Sequence, residues 1–348
     1  MDEQGMSGGN PFGQMGGMPA MPPNPAAAEP PVDLPAPEQE EQEPQIRKML
    51  EQANIADSLK DEQLEEIGQE AKAGYETDRR SRKDWEDDLK EWTKLAIQAR
   101  ENKTYPWPKA SNVKYPLLTT AAMQFGARAY PSLVPSDGKV VKAQIIGKDP
   151  TGEKKERADR VSAYMSYQCM KDMPHWEEEM DKMLIMLPIV GTMFKKTYYD
   201  SSLEKPVSKL VLPQNLVVNY WTRSLEESER ISEVIEMSPR LLKERQNAGI
   251  FRDIDLAKPT PKYDSPNAPD NDFTTPYSLI EQHTYLDLDD DGYKEPYVVT
   301  FVEETGEVLR IAARFDEHGI KTKGKKIVSI EPINYYTKFG FVPNPDGC

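Results

Sequence analysis

The apolar residues of this chain change their spacing at Gly191. Before that point they recur at steps of three and four, the repeat of a helix; after it they recur at steps near two, the repeat of a strand. A segment patterned for one period does not sit stably in the other. The expected fold class is therefore α+β, with a helical N-terminal half followed by a β-rich half.

In the first half, Leu64, Ile67, Ala71 and Tyr75, then Trp85, Leu89, Trp92, Ala96 and Ala99, form one apolar face. The charged block Asp78–Lys83 marks a break between two helices on that face. The helical run is expected to end before Tyr105-Pro106-Trp107-Pro108, a rigid loop whose aromatic rings should anchor in the core. A third helix is expected over Leu117–Tyr130, terminated by Pro131 and Pro135, and a short strand over Val140–Ile146. Glu153–Met173 reads as a helix with Ala158, Val161, Tyr164, Met165 and Gln168 on one stripe. His175–Leu187 reads as another, and its acidic first turn suits the positive end of the helix dipole.

In the second half, strands are expected at Phe194–Tyr199, Lys209–Leu212, Leu216–Tyr220, Glu229–Met237, Tyr277–Leu286, Tyr297–Glu303, Val308–Phe315 and Lys326–Ile330. Ser238-Pro239 caps a short helix, Arg240–Asn247, which Gly249 stops. Residues 257–276 read as loop.

Residues 1–45 stand apart. They hold ten prolines, six glycines and eight acidic residues, with no Lys or Arg. Such a stretch cannot bury enough apolar surface to offset chain entropy, so a disordered, solubilising tail is expected. The organisation is then a tail (1–45), a mainly helical region (46–190) and a β-rich region (191–348).

A net charge of -15 argues against a protein that coats nucleic acid, because such proteins are normally basic. No secretory signal is visible, and the most apolar window, Met183–Phe194, is too short to span a membrane. Two cysteines, Cys169 and Cys348, make no disulfide framework, and a reducing cytosolic compartment is the natural reading. Cys169 sits in a helical stripe as a buried structural thiol.

The sharpest local motif is Asp287-Leu288-Asp289-Asp290-Asp291-Gly292-Tyr293-Lys294-Glu295. Asp287, Asp289 and Asp291 match the first half of a calcium loop, where alternate carboxylates converge on one hard cation. The position that needs a bidentate glutamate is Val298, and the flanks look like strands. A hairpin turn is the favoured reading, weak calcium binding the alternative. Gly319–Lys325 fits the first part of a phosphate-binding loop, but Lys326 stands where Ser or Thr is required, so a lysine-rich hairpin is expected. His175, His283 and His318 lack metal-ligand spacing and read as surface or hydrogen-bonded histidines. There is no nucleophile elbow and no dinucleotide fingerprint, so no enzyme and no resident cofactor are expected.

Several long segments resemble the portal (head-to-tail connector) proteins of tailed bacteriophages. They are KYPLLTTAAMQFGARAYPSLVP (Lys114–Pro135), DRVSAYMSYQ (Asp159–Gln168), LPIVGTMFKKTYYD (Leu187–Asp200) and LVLPQNLVVNYWTRSLEESERISEVIEM (Leu210–Met237), followed by DLDDDGYKEPYVVTF (Asp287–Phe301) and YYTKFGFVPNPDG (Tyr335–Gly347). The resemblance implies a structural virion protein with a wing-like second half. It implies a homo-oligomeric ring of about twelve subunits, closed by heterologous contacts. The ring would sit at one capsid vertex, assembled in the host bacterial cytoplasm, with no membrane. Its implied partners are the terminase large subunit, then head-completion or neck adaptors, and the major capsid or scaffolding protein. Double-stranded DNA would pass non-specifically through its channel, and subunit interfaces should use the aromatic-rich helical faces. An acidic wall suits such a channel, since carboxylates repel a sliding polyanion.

Portal proteins continue after a segment like FVPNPDG into stem and crown helices, so the chain resembles an N-terminal part, truncated before the stem. A fragment is the favoured reading of the ending; an intein boundary, with Cys348 as thiol nucleophile, is the alternative. Two rival classes remain: another capsid-associated or scaffolding protein, and a metal-dependent nuclease or phosphatase built on Asp287–Asp291.

Overall fold

Arg82 is where the long apolar face breaks. Its backbone leaves helical geometry (φ -105°, ψ 11°), dividing α1 (Asp61–Ser81) from α2 (Lys83–Ala96). Its guanidinium donates to the carbonyls of Pro213 (3.0 Å), Gln214 (2.6 Å) and Leu216 (2.6 Å) and to Glu86 Oε1 (2.7 Å). The break thus ties the helical half to the turn at Pro213–Asn215. This computed structural model describes residues 49–50, 52–99, 105–108, 110–111, 113–200, 203–260, 272–289, 292–323 and 326–342, all within one unit, Gln39–Cys348. The expected tail, residues 1–45, lies outside the described residues, as do Asp290, Asp291 and Cys348.

The fold is α+β. Four more helices follow: α3 (Leu117–Leu133), α4 (Glu153–Tyr167), α5 (Trp176–Val190) and α6 (Pro239–Asn247). The strands are β1 (Thr192–Asp200), β2 (Lys205–Val211), β3 (Leu216–Val218), β4 (Ile231–Met237), β5 (Tyr277–Leu286), β6 (Glu295–Val302), β7 (Val308–Ala313), β8 (Ile320–Lys323), β9 (Lys326–Ile330) and β10 (Tyr336–Gly340). They form three antiparallel sheets in the orders β3-β4-β5-β6-β7, β10-β1-β2 and β8-β9.

The five-stranded sheet has two unlike faces, because side chains alternate along each strand. On one face Ile280, Tyr297, Val299, Phe301 and Ile311 are fully buried against Leu64, Ala71 and Tyr75 of α1. On the other, Glu233, Glu281, Thr300 and Arg310 lie in one cross-strand row. Beside that row α6 covers Leu279, Val302 and Leu309 with Leu242. The three-stranded sheet has its own core: Met193 and Phe339 pack with Leu89 of α2 and with Met180, Met183 and Leu187 of α5.

Several expectations are corrected. Pro131 does not end α3; it sits in the last turn, where Val134 N–H still donates to the Tyr130 carbonyl (2.8 Å). A proline near a helix end sacrifices one bond and need not stop the helix. Val140–Ile146 forms no strand. Val141 instead bonds the α4 serines: its N–H donates to Ser166 Oγ (3.1 Å), and Ser162 Oγ donates to its carbonyl. β3 stops at Val218, short of Tyr220, and β2 begins at Lys205 and ends before Leu212. The Tyr105 and Trp107 rings do not anchor in the core; they are 84% and 65% exposed. β10 was not expected; it pairs in register from Thr192↔Gly340 to Lys196↔Tyr336.

Candidate functional site

The Asp287 loop joins β5 to β6, with Leu286 paired to Glu295. Asp287 Oδ2 accepts a hydrogen bond from the Gly292 N–H (2.9 Å), and Gly292 adopts φ +85°, a value that favours glycine. Asp289 is half-buried, and Asp291 lies outside the described residues. The Tyr297 hydroxyl is held well above its ordinary pKa, first by burial and then by Glu295, Asp289 and Asp287. Asp287 and Asp289 thus share one electrostatic neighbourhood with Glu295, the last residue of the same motif. Among the described residues no group of three His, Cys, Asp or Glu is arranged to hold a metal.

The strongest polar cluster lies elsewhere, between the two larger sheets. Lys196 of β1 donates to Glu233 Oε2 of β4 (2.8 Å) and to Glu281 Oε1 of β5 (2.7 Å). Tyr336 of β10 donates its hydroxyl to the same Glu233 oxygen (2.7 Å). His283 Nε2 lies 3.2 Å from Glu281 Oε1, and its ring is 4.9 Å from that of Tyr336. Burial opposes the charge on Glu281, but Lys196 and His283 outweigh it and hold that carboxyl well below the usual range. Burial likewise works against the Lys196 ammonium, and the two glutamates overcome it and raise its pKa. These groups come from four strands scattered over the β half. No sequence spacing joins them, although Glu281-x-His283 on one strand face was a legible polar signal.

His283 is pushed the other way. Burial lowers its pKa, with Arg314 and Lys196 adding to that and Glu281 opposing. A histidine whose folded pKa is depressed contributes stability that is complete above its unfolded value, ~6.5, and is lost as pH falls below it. Unfolding free energy, measured by denaturant titration, is therefore expected to fall from pH 7 to pH 5. In His283→Gln that fall should be shallower.

Lys195, next in sequence, points to the opposite side. Its Nζ is buried with no hydrogen-bond partner among the described residues and lies 5.2 Å from the centre of the Trp176 ring. Burial lowers its pKa, while Glu179 and Cys169 pull weakly upward. An isosteric apolar group avoids that desolvation. Lys195→Met is expected to stabilise the fold by about 1–3 kcal/mol, read as a higher Tm. Cys169 is half-buried rather than fully buried, and burial raises its thiol pKa.

The third feature is a surface. Helix α3 buries Ala122 and Gly126, and a Cβ at Gly126 would stand 3.3 Å from Ile185 of α5. Helix α4 differs: only Ser166 is buried. Its apolar stripe faces outward, with Val161, Tyr164 and Met165 all exposed. Val113, Tyr115 and Leu117 are exposed too. Exposed apolar side chains clustered along one helix face, as on α4, mark interaction sites. A second exposed aromatic pair, Tyr220 and Trp221, meets edge to face at 5.2 Å. Its base is fixed by Asp78, which takes both Nε (2.7 Å) and Nη2 (3.0 Å) of Arg230 and also accepts from Asn219 (3.2 Å).

No protein-family model matches the chain, and no match to it is found among curated proteins. No helix among the described residues is long and apolar enough to cross a membrane.

Proposed function

We propose that the chain is a subunit of a portal-type ring at a capsid vertex, a structural virion component through which double-stranded DNA is packaged and ejected. The observation that supports this reading is α4: a helix with an apolar stripe of Val161, Tyr164 and Met165 that the described residues leave uncovered. An amphipathic helix gains most of its stability by burying such a stripe. In a closed ring the neighbouring subunit does so through a heterologous contact. The segments resembling portal proteins include residues 159–167 of α4 and all of α3. The negative net charge fits a channel that DNA must slide through without adhering. Terminase, neck adaptors and capsid or scaffolding proteins are the partners this role requires.

Electron microscopy of the full gene product tests the reading. Annular particles are expected, and Tyr164→Asp is expected to convert them to monomers in sedimentation while leaving the circular dichroism spectrum unchanged. A product that stays monomeric at high concentration, or that grips DNA tightly in ordinary salt, defeats it.

A further inference from the structure

Arg314 follows β7 and is only 3% exposed. Arginine keeps its charge at any pH a protein meets, so a buried guanidinium needs acceptors for its fork of donors. Its Nε and Nη2 find no hydrogen-bond partner among the described residues. These two atoms form one edge of the guanidinium, the edge that binds two oxygens side by side. The same molecule shows what that edge takes: in Arg230 it is filled by the two oxygens of Asp78.

The surroundings of Arg314 are rich in cations and donors. Its guanidinium carbon lies 5.3 Å from the centre of the Tyr285 ring. The Arg314 N–H donates to Pro296 O (3.0 Å), which places Arg314 beside Tyr285 on the polar sheet face. Arg310 lies further along the same face, and Lys196, Glu233 and Glu281 occupy its centre. Both glutamates are already engaged by Lys196, His283 and Tyr336. Two carboxylates therefore share that face with three cations, Lys196, Arg310 and Arg314, of which Arg310 donates its Nε to the Ala53 carbonyl (3.2 Å). Tyr285, whose side chain also hydrogen-bonds Arg314, and Tyr335 are half-buried beside it.

We propose that the Nε–Nη2 edge of Arg314 is a binding site for a small free oxyanion of the phosphate or sulfate class. Two anion oxygens would take the positions that the Asp78 oxygens hold at Arg230.

The test uses the full chain, with inorganic phosphate titrated against chloride at constant ionic strength. Wild-type protein is expected to show a saturable rise in Tm, on the order of 3 °C, with phosphate. Arg314→Met should lose that rise, and Arg314→Lys, which keeps the charge without the fork, should lose most of it. Hydrogen exchange of wild-type protein gives a second readout should Arg314→Met fail to fold: phosphate should slow exchange at residues 312–316 and 333–336. A phosphate response that is absent from wild type, or unchanged in a folded Arg314→Met, overturns the proposal. So does a wild-type Tm that rises with protein concentration without phosphate and loses that rise in Arg314→Met, because a carboxylate of a second copy would then hold the edge.

Discussion

Lys196→Met is expected to destabilise the fold by about 3–5 kcal/mol, the range for removing one partner of a buried ion pair. The reason lies in what remains. Glu233 and Glu281 are 5% and 22% exposed at the side chain, and both direct an oxygen at Lys196. Without the ammonium, two carboxylates face each other across β4 and β5, where they are directly paired in the ladder. Like charges opposite one another in a sheet repel. The deficit should shrink on acidification, as the carboxylates take up protons. Adding Glu233→Gln and Glu281→Gln should recover most of it at neutral pH. Denaturant midpoints of wild type, Lys196→Met and the triple variant check this; a triple variant no more stable than Lys196→Met would mean that lost packing, not charge, sets the cost.

Gly68→Ala is expected to cost about 3 kcal/mol or more, at the upper end of what overpacking inflicts. A Cβ there would lie 2.1 Å from the Gly306 carbonyl oxygen and 3.1 Å from Val308. The first neighbour is backbone and cannot rotate away. Gly306 itself adopts φ +81° in the β6–β7 turn, so the turn has little freedom to retreat. α1 is drawn onto that turn by Gln69 Nε2, which donates to the Thr305 carbonyl (3.3 Å), and by Lys72, which donates to that of Glu304. Gly74→Ala should be milder, because its added Cβ would meet the Arg230 guanidinium rather than backbone, and that side chain can shift at the expense of its pair with Asp78. Thermal melts of the two variants should separate widely; equal losses would show that α1 shifts to relieve the contact.

Local pattern carried the element types well and the partnerships poorly. The step from Leu64 to Tyr75 and on to Leu89 is a helical repeat wherever the helix packs, and Ser238 caps α6 through its own side chain, accepting from the Leu241 N–H. These are short-range facts. Val140–Ile146 has a strand-like composition, but a strand exists only where another edge accepts it, and here two serines of α4 take its place. β10 is the converse: Tyr-Thr-Lys-Phe-Gly is weakly patterned, and the free edge of β1 recruits it. The polar cluster was hidden for the same reason. Lys196, Glu233, Glu281 and Tyr336 meet only after both sheets have formed, so no window of sequence contains the site. The Val161–Met165 stripe was legible as a stripe, whereas its exposure was not, because spacing does not say which surface covers it.

The pairing of β10 with β1 also sets an order of events during synthesis. β1 is complete at Asp200, yet the strand that closes its outer edge begins at Tyr336. At roughly 5–20 residues per second, a ribosome needs about 7–30 s to supply the intervening chain. Throughout that interval the nascent protein offers an open ladder of donors and acceptors, and Glu233 lacks the hydroxyl that Tyr336 later brings. Crowded nascent chains on one messenger would meet one another at this edge first.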